Sequence, residues 1–162
     1  MQYEKLRYQP NKVSQTFTLL GLVFMSYALF KVINVYRYVT TSNLGIIEPK
    51  IILGIEILVS IFVMLLSFLA SEKVSTYDKN WLWVGVGLTI YPIVKIFLLP
   101  ISLYKQFNTM IEAGETIKYN PTSWLIVVIV TLVISSLCYA YGTYVNYVKT
   151  RQLDEYLKEL ND

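Results

Sequence analysis

Four apolar stretches, each long enough to cross a lipid bilayer, constrain this 162-residue chain more than any other feature. They cover residues 16–38, 51–71, 81–104 and 124–148. Hydrocarbon about 30 Å thick needs about 20 mostly apolar residues in a helix. Every stretch meets that length, and the fourth carries no charge. Backbone groups cannot go unpaired in lipid, so open strands are excluded and the stretches must be helices. The expected fold class is an all-α integral membrane protein, a four-transmembrane-helix bundle with short loops.

Composition agrees. Charged residues make up 15% of the chain, where soluble domains carry about a quarter. Residues 1–15 form an N-terminal segment, 16–148 the transmembrane domain and 149–162 a tail. Residues 39–50 and 71–80 leave room only for hairpin loops. The triplet Ser26-Tyr27-Ala28, behind Lys5, Arg7 and Lys12, faintly resembles a signal-peptide cleavage site. It is embedded in an apolar run longer than a usual signal core, so the first span is expected to be retained.

Basic residues set the expected orientation, because short cytoplasmic loops are enriched in Lys and Arg. One side collects Lys5, Arg7, Lys12, Lys73, Lys79, Lys149, Arg151 and Lys158; the other has Arg37, Lys50, Lys105 and Lys118. Eight against four places both termini in the cytoplasm, in the cell membrane, with a multi-pass topology. Trp81, Trp83, Trp124, Tyr36, Tyr38, Tyr104, Tyr144 and Tyr147 stand near span ends. An apolar ring with a polar tip prefers that depth.

The longest connection is Lys105–Thr122. Phe107, Met110 and Ile111 share a face at helical spacing, which suggests either a turn or two lying flat on the outer leaflet, ended by Gly114, or a plain loop. Asn120-Pro121-Thr122-Ser123 then offers a turn and a cap for the fourth helix. In the tail, Leu153, Tyr156, Leu157 and Leu160 follow an i, i+3, i+4, i+7 pattern, with Asp154 four residues before Lys158. A cytoplasmic amphipathic helix is expected there. Its apolar stripe either packs on the protein's own loops and the membrane surface or docks a partner.

Three charged residues lie well inside the spans: Lys31, Glu56 and Lys95. Measured along the helix axes, they fall about 10, 8 and 13 Å below the outer boundary. A charge at membrane depth costs roughly 2.5–3.5 kcal/mol on insertion scales. A buried pair or triad lowers that cost, so all three are expected to face the bundle interior. The cluster reads as a structural ion pair, as a polar site for an ion, a proton or a small anionic group, or as side chains that snorkel independently. Pro92 and Pro100 each remove a backbone donor from the third helix and predict kinks there. Tyr27…Lys31 and Tyr91…Lys95 repeat the same spacing, a weak internal similarity.

Other chemistry finds little support. There is no histidine, and the single cysteine, Cys138, lies in an apolar run, so no metal or cofactor is expected. A net charge of +3 is weak for nucleic acid. No phosphate-binding loop or nucleophile motif is present, and no enzyme is expected. Two readings remain: a non-enzymatic accessory or assembly subunit of a larger membrane complex, and a small homo-oligomeric transporter or channel using the Glu/Lys cluster. The implied partners are the lipid bilayer and either another protein or further copies of this chain.

Overall fold

The structure, a computed structural model, describes residues 9–40, 48–114 and 121–160, with side chains at 9–34, 51–114 and 122–160. Lys5, Arg7, Lys118 and Asn120 lie outside the described residues, as do the side chains of Tyr36, Arg37, Tyr38 and Lys50. The described chain is helical: α1 (Lys12–Thr40), α2 (Glu48–Ser75), a 3-10 turn (Lys79–Trp81), α3 (Leu82–Glu112) and α4 (Pro121–Glu159). All four α-helices are long and apolar enough to cross a membrane.

Local chemistry sets the ends. Asn11 caps α1: its side-chain oxygen accepts from the Ser14 backbone N–H at 3.4 Å, and its own N–H donates to the Ser75 carbonyl at 3.0 Å. This ties the start of α1 to the end of α2. Tyr77, at φ 58, turns the chain through the left-handed region, and Asp78 accepts from Asn80 N–H at 3.0 Å to open the 3-10 turn. Gly114, at φ 78, closes α3 where a residue with a Cβ would be strained. Proline begins α4, where its missing N–H costs nothing.

The helices form a four-sided bundle in chain order. Sides α1–α4, α3–α4 and α1–α2 pack extensively, whereas α2 and α3 touch lightly. Burial follows the same division: 17% of the most apolar stretch of α2 and of α3 is buried, against 33% for α1 and 39% for α4. The α2–α3 side is therefore the open one.

Small residues explain the tight sides. Ser14 Oγ donates to the Gly142 carbonyl at 2.6 Å, and Ser135 Oγ to the Gly21 carbonyl at 2.8 Å, clamping α1 to α4 twice. Across α3–α4, Ser136 Oγ donates to the Thr89 carbonyl at 3.1 Å, and Gly85 faces Thr143. Among apolar helices, close backbone approach and hydroxyl–carbonyl bonds supply the cohesion that water exclusion cannot.

One expectation is corrected. Residues 105–112 do not lie flat as a separate segment but extend α3, and Phe107 and Met110 are 3% and 1% exposed. They continue the stripe of Leu99 and Leu103 into the core shared with Met25, Val32 and Leu125. Burying both side chains there favours continuation of the helix, while Ile111 stays exposed. Because Tyr104 Oη and Thr122 Oγ1 lie 2.9 Å apart, α3 passes the start of α4 by about 12 Å. At its other end α4 continues without a break into the tail. Its 39 residues make a rod of about 58 Å.

Candidate functional site

The inward face of α2 carries Glu56, Ser60, Val63, Ser67, Ala70 and Val74, at alternating steps of four and three residues, with Ser71 beside Ala70. Polar groups on this stripe must find partners or bear the cost of burial. At one end Glu56 meets Lys95 of α3 in a direct ion pair, their side chains 15% and 12% exposed. Ser60 stands 3.5 Å from the Glu56 carboxylate and 3.3 Å from Tyr91 Oη. Lys95 Nζ is 5.4 Å from the centre of the Tyr91 ring. One carboxylate, one ammonium and two hydroxyls thus bridge the loosely packed side of the bundle.

Further along, Ser67 donates to the Val63 carbonyl at 2.8 Å and lies 2.7 Å from Tyr139 Oη. Val63 and Leu88, both buried, separate this second bridge from the first. Tyr139 is 1% exposed and its ring rests on Gly21. The phenol thereby links α1, α2 and α4 at one point.

Lys31 does not join the pair. Its ammonium lies 5.0 Å from the Trp124 ring centre and 5.2 Å from that of Tyr27, with no carboxylate against it among the described residues. The spacing shared by Tyr27…Lys31 and Tyr91…Lys95 gives the same ammonium-over-ring contact in both helices. A ring face attracts a cation by about 0.5–2 kcal/mol, less than the roughly 2.5–3.5 kcal/mol cost at membrane depth. Among the described residues, Lys95 has a counter-charge and Lys31 has none.

Pro92 is fully buried and Pro100 partly so, and α3 is assigned without interruption through both. Each proline leaves one carbonyl, of Leu88 and of Ile96, without its usual intrahelical donor. In the tail, Leu153, Tyr156 and Leu157 are partly covered and Leu160 is exposed. Asp154 pairs with Lys79 of the 3-10 turn, so the tail rests against the α2–α3 connection.

Sequence reasoning passed over the Tyr139 junction and the α1–α4 clamps. A signal existed: Ser14 and Gly21, Ser60 and Ser67, and Ser135 and Gly142 are small residues seven apart. That spacing keeps small groups on one seam of a helix.

Among the described residues, no three His, Cys, Asp or Glu side chains come together as metal ligands. The arrangement offers a neutral cross-link between α2 and α3 and a separate cation at the end where α4 begins. Comparison with protein-family models, curated proteins and solved structures finds no match.

Proposed function

We propose that this chain is a multi-pass protein of the cell membrane, with both termini cytoplasmic, serving as a non-enzymatic accessory or assembly subunit of a larger membrane complex. One observation carries the subunit reading: α2 and α3, the least buried helices, touch only lightly, joined by the Glu56–Lys95 and Ser60–Tyr91 bridge and a small apolar cluster around Val63 and Leu88. Their apolar flanks, including Leu58, Phe62, Phe97 and Ile101, are exposed beside it. Glu56 and Lys95 are engaged with each other, which suits a fixed scaffold better than a charged conduit. The excess of basic residues on the terminal side supports the orientation.

The test is the mass and composition of the tagged protein after gentle extraction from its native membrane, with and without residues 149–162. Another protein at fixed stoichiometry, lost with the tail, is the expected result. A clean homo-oligomer overturns this reading. It favours the second one, a small homo-oligomeric transporter or channel lined by Lys31, Glu56 and Lys95. The residual exposure of the ion pair on the open side is the observation behind that alternative. Flux through reconstituted liposomes, abolished by Glu56→Gln in a folded protein, would establish it. Single cysteines at positions 78 and 114, probed from each side of sealed membranes in a Cys138→Ser background, test the orientation.

A further inference from the structure

Among the described residues no carboxylate meets the Lys31 ammonium, and its surroundings indicate what could balance its charge. Its ammonium lies over the rings of Trp124 and Tyr27, at 5.0 and 5.2 Å. Trp124 is in the first turn of α4, about 4.5 Å along the axis from Pro121. Tryptophan and tyrosine favour the boundary between hydrocarbon and headgroups. Tyr27 and Phe30, which precede Lys31 on α1, are exposed. The ammonium is thus held between two rings on a face open to lipid.

A ring face attracts a cation but accepts no strong hydrogen bond, and no acceptor among the described residues takes the three N–H donors of the ammonium. We propose that Lys31, with Trp124 and Tyr27 as its walls, forms a binding site for the phosphate of a membrane lipid headgroup. The site rests on the membrane-spanning reading above and is independent of the accessory role. Lys95 has no such need, because Glu56 answers its charge within the chain. The same phosphate chemistry is available from free inorganic phosphate. The exposed apolar flank favours a lipid, whose acyl chains would lie along Tyr27 and Phe30.

The test uses the full chain purified in an uncharged maltoside detergent. It is titrated separately with phosphatidylglycerol, with an uncharged glycolipid of the same acyl chains, and with inorganic phosphate. Thermal midpoint and native mass spectrometry are read in parallel. Phosphatidylglycerol is expected to raise the midpoint saturably and to remain bound, and the other two to do neither. Lys31→Gln is expected to weaken the lipid effect about tenfold, and Lys31→Arg to retain it. Trp124→Leu gives a second variant should Lys31→Gln fail to fold, with a weaker lipid effect expected.

Equal protection by the glycolipid, full protection by inorganic phosphate, or wild-type binding by a folded Lys31→Gln protein each overturns the proposal. So does capture of a partner protein that depends on Lys31 while no lipid is retained, since the counter-charge would then be a partner's carboxylate. The lipid titration uses the isolated protein, so its failure is separable from failure of the co-purification.

Discussion

The ring of Tyr139 lies so close on Gly21 that a Cβ at that glycine would stand 2.8 Å from the ring carbons. That distance is shorter than carbon atoms tolerate, and the ring is held in place by the bond from its hydroxyl to Ser67 at 2.7 Å. Neither partner has room to give way. The α1–α4 clamps at Ser14 and Ser135 depend on the same closeness.

Gly21→Ala is therefore expected to destabilise the fold by about 1–3 kcal/mol, the range for forced overpacking. Reversible unfolding in mixed detergent micelles would measure it. Pairing it with Tyr139→Leu, which removes the ring, should cost less than the two changes summed. Simple additivity would show that the contact is not the cause.

Glu56→Gln leaves the Lys95 ammonium without its counter-charge and is expected to cost about 3–5 kcal/mol. The double change Glu56→Gln with Lys95→Gln should recover much of that loss, because no lone charge remains inside. The same unfolding assay decides the matter. If the double variant is as unstable as the worse single one, the ion pair is not what the single change disturbs.

The pair between Lys79 and Asp154 is of another kind, with side chains 63% and 34% exposed. Exposed pairs contribute about 0–1 kcal/mol and are screened by salt. Asp154→Ala should leave global stability nearly unchanged while increasing amide exchange in the tail. A large drop in global stability would mean that the tail is integral to the bundle.

Tyr77 donates its hydroxyl to the Gln9 carbonyl at 3.1 Å, outside the apolar spans, and burial pushes its phenol above the usual 10.0. The folded state thus favours the neutral form. That contribution is intact below the ordinary phenol value and is lost as pH rises through the folded one. Wild type should lose stability more steeply than Tyr77→Phe above about pH 10. Parallel alkaline slopes for the two proteins would exclude Tyr77 as the responsible group.

Much of the site was legible in the sequence, and the illegible part has a physical pattern. Glu56 and Lys95 stood out because a charge in an apolar run is costly wherever it points, and their contact in the structure answers that cost. Lys31 stood out for the same reason, yet its rings could not be read from position alone: Trp124 is ninety-three residues away. Phe107 and Met110 were read as a surface turn because helical periodicity says which residues share a face, not what the face meets. Ser67, Tyr139 and Gly21 raised no alarm, since serine, tyrosine and glycine are tolerated at almost any depth.

The sequence by itself determined four helices long and apolar enough to cross a bilayer, because length and apolarity are properties of each segment taken alone. It also determined where charge would be costly. Tertiary structure decided which charges meet, which bundle side stays open and which glycines admit a neighbour. Those outcomes depend on helix rotation and register. Both are set by contacts between residues far apart in the chain, at closeness that small side chains permit.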